Sequence, residues 1–281
     1  MHRWRRTDSE VREITMNFIA KMTLVFLALT GAFGGRAVDA ATPNQIQWLR
    51  VSDRLLSGNG LDGTFDMAKM GQFIDWVENK QSKAIYKAAY LGQLRVNVIE
   101  TSGNAVHLPD FPNDELIYIL VGGLTLTADS TKIDQTFYAG DRILVPKGWS
   151  GVWRVHAGVY REIALTPSDY YDGKNQSRPL PKSASVLVVD PPNAPGTRLL
   201  YRGAYIVEAQ NADGTETRSF AQQSDEVVHI LRGTLTLRTA NKSAIFKPGD
   251  IVIVPRGFTG ESQVSAAYRA VIVRAEPRPH A

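Results

Sequence analysis

The sequence predicts an all-β protein built from two tandem copies of one barrel of short strands. The first observation is a repeat at a fixed offset, since Glu115 corresponds to Glu226 (226 − 115 = 111). The offset is 109 at Gly140 and Gly249 (249 − 140), so two residues are lost between Leu126 and Gly140, which indicates a shorter hairpin turn in the second copy. A fixed-offset repeat whose length changes at a turn indicates a duplicated domain. The other observations are short apolar, β-branched runs and the Gly and Pro residues that separate them.

Each copy alternates apolar runs with turn residues. In the first copy the run 116–121 follows an Asn-Asp turn, two glycines interrupt it, and 124–127 then alternates with period two. The run 142–145 predicts a further strand that ends at Pro146, because proline cannot donate a ladder hydrogen bond. The second copy repeats this strand at 251–254, again followed by proline. Many short strands with Gly and Pro turns favour a β-sandwich or barrel.

Two spacings resemble the paired motifs of the cupin family. In each copy a Glu, at 115 and 226, is followed after six residues by Gly, and a Gly-Asp pair is followed after four residues by Pro-x-Gly. The resemblance covers residues 85–166 and 195–274 and implies a bicupin, with a double-stranded β-helix or jelly-roll barrel in each copy. The run 146–153, Pro-x-Gly-Trp-x-Gly-x-Trp, is more specific. It resembles the cupins of (S)-ureidoglycine aminohydrolase and of ethanolamine utilisation.

The histidines that the cupin resemblance implies as metal ligands are missing. Metal-binding cupins place His-x-His before the Glu and a third His after Pro-x-Gly, converging on a first-row divalent metal. Neither segment before Glu115 or Glu226 contains a His, and Gly151 and Gly260 stand at the third position. We therefore expect no metal cofactor. The alternative is a divalent metal (Mn, Fe, Ni or Zn) held by carboxylates and amides, such as Glu115 with Asp110 or Glu226 with Gln222.

The other histidines of the two copies do not fit the motif spacing. His107 and His156 lie outside it, and His229 follows Glu226 by three residues, so strand alternation directs it to the opposite face. We expect all three to be surface or interface residues. The chain has no cysteine, which excludes thiolate ligands, a Cys nucleophile and disulfides.

Candidate ligand-binding residues lie near the mouth predicted for each barrel. They are Glu115, Trp149, Trp153, Tyr160 and Arg161 in the first copy and Glu226 in the second. A buried carboxylate needs a partner, and Arg161 or Arg269 would be expected to supply it. The aromatic residues could stack on a ring or a sugar-like ligand. The alternatives are that each Glu starts its strand at a solvated end and that the aromatic residues are ordinary barrel core.

The first forty residues predict a leader. Residues 16–21 form a short positive region, 22–33 an apolar run, and small residues precede Ala41, which fits a signal peptide of about 16–40 cleaved after Ala40. The run is too short for a comfortable membrane span. We expect export, to the periplasm, with no stable membrane span after cleavage; a retained N-terminal anchor is the alternative. Met16 is an alternative start to Met1.

The remaining segments precede, connect and follow the two copies. Residues 41–84 form an N-terminal segment in which 64–80 predict one amphipathic helix, from apolar residues at helical spacing. Residues 167–194 form the connection between the barrels, and within it 187–189 predict a swapped or edge strand. Residues 275–281 form a short tail.

The charge balance excludes several classes of partner. Without the leader, 26 Lys and Arg are balanced by 24 Asp and Glu (32 − 6 and 28 − 4), which is too even to indicate nucleic acid or an anionic membrane as a partner.

Three functions remain open: metal-free binding of a small molecule, hydrolase or isomerase chemistry resembling (S)-ureidoglycine aminohydrolase, and a self-associating scaffold such as a homodimer. For the enzyme, Glu115 or Glu226 in an apolar barrel could serve as a general acid or base.

Overall fold

A computed structural model describes residues 47–66, 75–79, 82–111, 113–168 and 185–276. The predicted leader, 1–40, lies outside them, as does the end of the tail, 277–281. Within these ranges no helix is long and apolar enough to span a membrane.

The described part of the chain is almost entirely strand, as the sequence predicts. One helix of four residues, α1 (Asp53–Leu56), begins at the N-cap Ser52. The strands are β1 (Leu49–Arg50), β2 (Gly63–Asp66), β3 (Asp75–Glu78), β4 (Lys83–Leu91), β5 (Leu94–Leu108), β6 (Glu115–Val121), β7 (Gly123–Ala128), β8 (Asp134–Tyr138), β9 (Arg142–Val145), β10 (Gly151–Pro167), β11 (Leu187–Val188), β12 (Gly196–Arg202), β13 (Tyr205–Ala212), β14 (Glu216–Ala221), β15 (Glu226–Arg232), β16 (Leu235–Arg238), β17 (Ser243–Phe246), β18 (Ile251–Val254), β19 (Thr259–Val264) and β20 (Tyr268–Ala275).

The strands form two barrels that correspond to the two copies. Strands β2 to β11 form one sheet, here called barrel 1; β12 to β20 together with β1 form two sheets, here called barrel 2. Along β6, Ile117 and Ile119 pack inside barrel 1, whereas Leu116 and Tyr118 face the other way. This period of two follows from the strand pleat. The predicted tandem barrel fold is therefore confirmed.

The outward faces of the two barrels pack together into a third apolar cluster, here called the inter-barrel cluster. It contains Leu116 and Tyr118 from barrel 1 and Val227 from barrel 2. His229, the repeat counterpart of Tyr118, contacts the Tyr118 ring in a tilted arrangement with 4.8 Å between centroids. His229 thus lies at the interface between the barrels, as predicted. Burial, with a smaller contribution from Arg142, lowers the pKa of His229 to about 4.

Short strands preceding each copy cross to the opposite barrel. Strand β11, just before the second copy, pairs with β9 of barrel 1, with Leu187 opposite Leu144. Strand β1, before the first copy, pairs with β18 of barrel 2, with Leu49 opposite Ile253. The edge strand predicted at 187–189 is therefore present, and β1 makes the corresponding exchange. Each crossing strand covers a sheet edge that would otherwise expose unpaired backbone groups.

Two aspartates also join the barrels reciprocally. Asp114 accepts hydrogen bonds from the backbone N–H of Lys147 in barrel 1 (2.9 Å) and of Ala204 in barrel 2 (2.7 Å). Asp225 accepts them from Arg256 in barrel 2 (2.9 Å) and from Gln93 in barrel 1. Both aspartates are buried, at 1% and 2% exposure. Each carboxylate therefore uses both oxygens to tie its own barrel to a hairpin of the other.

The helix predicted over 64–80 is wrong at both ends. Gly63–Asp66 and Asp75–Glu78 are strands, while 67–74 and 80 lie outside the described residues. Strand β2 pairs with β4 and strand β3 pairs with β5. The β-branched and aromatic residues of these ends add to strands of barrel 1, so tertiary pairing overrides the local helical pattern.

Candidate functional site

Two carboxylates share the interior of barrel 1. Glu115 begins β6 on the same side as the core residues Ile117 and Ile119. On β10, Tyr160 belongs to the barrel core, whereas Ile163 belongs to the inter-barrel cluster, so Glu162 points inward with Tyr160. The Tyr160 hydroxyl donates to Glu162 Oε2 at 2.5 Å. Glu115 and Glu162 are called the acid pair below.

Burial and mutual repulsion favour the protonated form of the acid pair. Burial raises the pKa of Glu115 above its usual value, and the carboxylate of Glu162 raises it further. Burial also raises the pKa of Glu162, partly opposed by the hydrogen bond from Tyr160. Glu162 is 5% exposed and Glu115 is partly buried, and two carboxyls on one face of adjacent strands are expected to share a proton rather than both ionise. Barrel 1 therefore holds a group that can act as a general acid or base near neutral pH.

Aromatic side chains line the same barrel. The Phe111 ring stacks on Trp153 with 5.8 Å between centroids and meets Trp149 edge-on at 6.5 Å. Trp149 is 1% exposed, and its indole Nε1 has no hydrogen-bond partner among the described residues. Trp149 and Tyr160 belong to the core cluster of barrel 1 and Trp153 packs against it; their role in ligand binding stays a prediction.

A second orphaned polar atom belongs to Thr166. It follows Glu162 at a spacing of four on β10, so the two side chains lie on the same face. Thr166 is 4% exposed and its hydroxyl has no partner among the described residues. Buried hydroxyls are normally satisfied, and exceptions require an explanation such as an absent ligand or water.

The corresponding carboxylate of barrel 2 is neutralised. Glu226 accepts hydrogen bonds from Arg274 Nε (3.0 Å) and Gln222 Nε2 (3.1 Å), and Arg274 Nη2 lies 2.9 Å from it. Arg274 Nη1 also donates to Glu208 at 3.0 Å. Burial lowers the pKa of Arg274, but the two carboxylates outweigh this and raise it. One guanidinium therefore bridges two carboxylates inside barrel 2.

The strand register shows which residues of barrel 1 are the counterparts of the bridging residues in barrel 2. Leu165 pairs with Leu116, and Val273 pairs with the counterpart of Leu116, Val227. The next residues, Thr166 and Arg274, are therefore counterparts. By the same register Glu162 corresponds to Ala270 and Asn97 to Glu208. Barrel 1 thus has Thr166 in place of the bridging arginine and has an additional acid.

Arg161 does not partner Glu115, which corrects the sequence prediction. Its Nη2 and Nε bond to Glu100, at 2.5 and 2.8 Å, and its Nη1 donates to the carbonyl of Leu56. Arg161 alternates with Glu162 along β10 and so points away from the acid pair. The other expected partner, Arg269, lies 3.3 Å from Asp190 rather than near Glu226. The partner that sequence reasoning missed is Arg274.

Sequence reasoning also missed Glu162, Thr166 and Arg274, although the spacing of Glu162 from Tyr160 was visible in the sequence. Glu162 lies two residues after Tyr160, so the period of a strand places both on one face. That Thr166 is the counterpart of Arg274 can be recognised only from the strand register. The second copy has lost one more residue before this strand, so the offset there is 108 (268 − 160).

The residues present do not fit the histidine-based metal centre of the cupin family. His107 bonds to Asp129 at 2.8 Å and His156 to Thr125 at 2.9 Å. No group of three or more His, Cys, Asp or Glu within the described residues could hold a metal ion. A Cβ at Gly151 would lie 2.3 Å from the carbonyl of Thr127 and 2.7 Å from the Trp149 ring, so this position cannot accept a histidine without rearrangement.

The comparisons with known proteins agree with the tandem barrels. The EutQ-like cupin domain matches at residues 101–162 and 205–271. No curated protein sequence matches the chain.

Solved structures show the same fold at low identity. A salicylate 1,2-dioxygenase mutant from Pseudoaminobacter salicylatoxidans is 11% identical, with 98% of this chain and 96% of that chain covered and a TM-score of 0.53. A protein of unknown function from Pseudomonas syringae pv. tomato is 14% identical, with 82% and 100% covered and a TM-score of 0.51. A cupin 2 conserved barrel domain protein from Leptotrichia buccalis is 8% identical, with 77% and 97% covered and a TM-score of 0.50.

Proposed function

We propose that this protein, a tandem cupin by fold, is exported and binds a small polar molecule inside barrel 1. The observation that supports this most is the contrast between the barrels. Glu226 in barrel 2 is bound by Arg274, whereas the acid pair of barrel 1 has no described cationic partner. Buried charge without a partner is costly, and such sites commonly serve ligands or catalysis.

The aromatic residues support the same barrel. Phe111 and Trp153 offer a stacked apolar wall, and Trp149 offers an unused N–H donor. An apolar pocket with a few convergent polar groups is the usual form of a small-molecule site. In barrel 2, Phe258 replaces Trp149 and Ser262 replaces Trp153, so the indole donor of Trp149 and the ring of Trp153 have no counterpart at these positions.

Binding is tested by a thermal-shift screen of small polar molecules on the protein from Ala41, followed by calorimetry of any hit. We expect Glu115→Gln or Trp153→Ala to abolish binding while the far-ultraviolet spectrum is unchanged. Glu261→Gln, at an exposed position in barrel 2, is the matched control and should bind normally. Unchanged affinity in both barrel 1 variants would exclude barrel 1 as the site.

Export is tested separately by fractionating cells that express the full chain. A periplasmic product with Ala41 at its N-terminus would support the proposed signal peptide. A product that retains residues 16–40 in the membrane fraction would instead support an anchor.

Acid–base catalysis without a metal is a second candidate, favoured by the raised pKa of Glu115 and Glu162. It includes hydrolase or isomerase chemistry resembling (S)-ureidoglycine aminohydrolase. A ligand found in the screen would be followed for turnover in the presence of chelator. Turnover that Glu162→Gln abolishes while binding persists would favour the enzyme; binding without conversion would favour the binding protein.

A further inference from the structure

Barrel 2 contains a bound cation that belongs to its own chain. The guanidinium of Arg274 lies between Glu226 and Glu208, within 3.0 Å of an oxygen of each. The side chain reaches this place from β20, and Gln222 completes the contacts of Glu226. This bridge shows how the cupin interior of this protein accommodates a positively charged N–H donor between carboxylates.

Barrel 1 retains the surroundings of that cation but not the cation. Thr166 stands at the position of Arg274 and its buried hydroxyl has no described partner. Glu115 corresponds to Glu226, and Glu162 adds a carboxylate where barrel 2 has Ala270. The change from Arg274 to Thr166 removes the guanidinium from this position of the strand, while on the neighbouring strand Arg95 stands where barrel 2 has Ile206.

The nearest candidate for a substitute within barrel 1 is Arg95, which pairs across β5 with Thr166. Its charge acts on the phenol of Tyr86, lowering a pKa that burial raises. The pKa of Glu115 is set by burial and Glu162, and that of Glu162 by burial and Tyr160. Among the described groups, the charge of Arg95 therefore affects the pKa of Tyr86 and does not contribute to the pKa of either member of the acid pair.

We infer that barrel 1 binds a small organic cation with N–H donors, of the guanidinium type, at the place that the Arg274 side chain fills in barrel 2. Its N–H groups donate to Glu115 and Glu162, and the Thr166 hydroxyl accepts a further hydrogen bond. The stacked Phe111 and Trp153 rings suit the flat or apolar remainder of such a molecule. The inference rests on the proposed function and adds the chemical class of the ligand.

Entry of the cation displaces the proton that the acid pair shares. The cation supplies the positive charge, so both carboxylates ionise and a proton is released to solvent. Affinity should therefore increase as pH rises from mildly acidic to neutral. Calorimetry in buffers of different ionisation enthalpy should register this released proton.

The direct probe is methylguanidinium, titrated into the protein from Ala41 in the presence of chelator, with methylammonium and a neutral amide of similar size for comparison. We expect one equivalent of methylguanidinium per chain. Glu115→Gln should weaken binding roughly 100-fold, to below detection in this titration, because a charge-assisted hydrogen bond is lost.

Thr166→Arg supplies the cation covalently and is the most discriminating variant. It should abolish methylguanidinium binding and raise the thermal midpoint, because the new guanidinium neutralises the acid pair. Thr166→Val, which removes the hydroxyl but adds no cation, should still bind. If Thr166→Arg does not fold, Arg274→Thr gives an independent test, since it should create a second methylguanidinium site in barrel 2.

The possible results separate the ligand class from the proposed function. No binding of methylguanidinium or methylammonium to the unmodified protein, or binding unaffected by Thr166→Arg, would overturn the inference. A neutral or anionic ligand that Glu115→Gln abolishes would overturn the cation but retain binding in barrel 1. Stoichiometric Mn²⁺ or Zn²⁺ that is lost in Glu115→Gln would replace the organic cation by a metal. Absence of any barrel 1 ligand would remove both proposals.

Discussion

At the scale of single residues, the acid pair should make the folded protein less stable as pH rises. The pKa of Glu115 and Glu162 is raised on folding, so the folded state holds more protons than the unfolded state above pH 4.5, their usual pKa. The free energy of unfolding therefore falls with increasing pH until the folded groups have ionised. His229, whose pKa is lowered from 6.5 to about 4, acts oppositely below pH 6.5.

Urea unfolding between about pH 7.5 and 8.5 isolates the acid pair, since His229 is then largely neutral in both states. Glu162→Gln removes one ionisable group and should flatten the decline and stabilise the protein by about 1 to 3 kcal/mol at the upper pH. Glu261→Gln serves as the exposed control. Equal pH slopes in Glu162→Gln and the unmodified protein would show that the acid pair is not strained by burial.

Sequence reasoning identified Glu115, one member of the acid pair, because its spacing from Gly122 matches a motif. Glu115 stands at a motif position, and Trp149, Trp153 and Tyr160 lie in a recognisable run; all contribute to barrel 1. Glu162 has no motif, and its role depends on which strands lie beside it. The choice of Arg161 as partner failed for the same reason, because adjacent residues of a strand face opposite sides.

At the scale of elements, barrel 2 depends on residues supplied from before the first copy. Trp48, next to β1, is 7% exposed and meets the rings of Phe258 at 5.6 Å and Phe246 at 6.5 Å. Trp48→Ala should lower the free energy of unfolding by about 3 to 5 kcal/mol, the usual cost of truncating a buried tryptophan. Leu49→Ala, one residue along but 44% exposed, is the control and should cost far less.

Urea unfolding followed by tryptophan fluorescence and circular dichroism measures both variants. A loss in Trp48→Ala as small as that expected for Leu49→Ala would mean that Trp48 does not contribute to the barrel 2 core. Sequence reasoning anticipated the matching strand at 187–189 because an apolar run stood alone in a connection. It did not anticipate β1, whose two residues are too few to give a period, or β2 and β3, whose spacing also suits a helix.

At the scale of the whole molecule, the repeat predicted two barrels but not how they are joined. The sequence also repeats a Tyr-x-Gly segment, at 90–92 and 201–203, and an Asp-Glu pair, at 114–115 and 225–226, and these segments have a structural role. At Gly203 a Cβ would lie 2.3 Å from both Asp114 Oδ2 and the Tyr201 hydroxyl, and Gly92 is enclosed in the same way by Asp225 and Tyr90. These repeated residues form the reciprocal contacts between the barrels, a relation that appears only when both copies are seen packed together.

The reciprocal aspartate contacts should make the two barrels unfold cooperatively. Asp114 accepts N–H groups with both oxygens, one from each barrel. Asp114→Asn keeps the shape but replaces one acceptor by a donor that faces an N–H, so it should cost about 3 kcal/mol. Asp225→Asn should cost a similar amount, and Asp213→Asn, at an exposed turn, very little.

Because each aspartate joins the two barrels, its loss should also separate their unfolding. We expect the single urea transition of the unmodified protein to split or broaden in Asp114→Asn, with a lower m-value for each part, since each would then expose less surface. The double variant should lose more cooperativity than either single one, because the two contacts couple the same pair of barrels. A sharp single transition in the double variant would show that the inter-barrel cluster around Tyr118 and His229 suffices to couple the barrels.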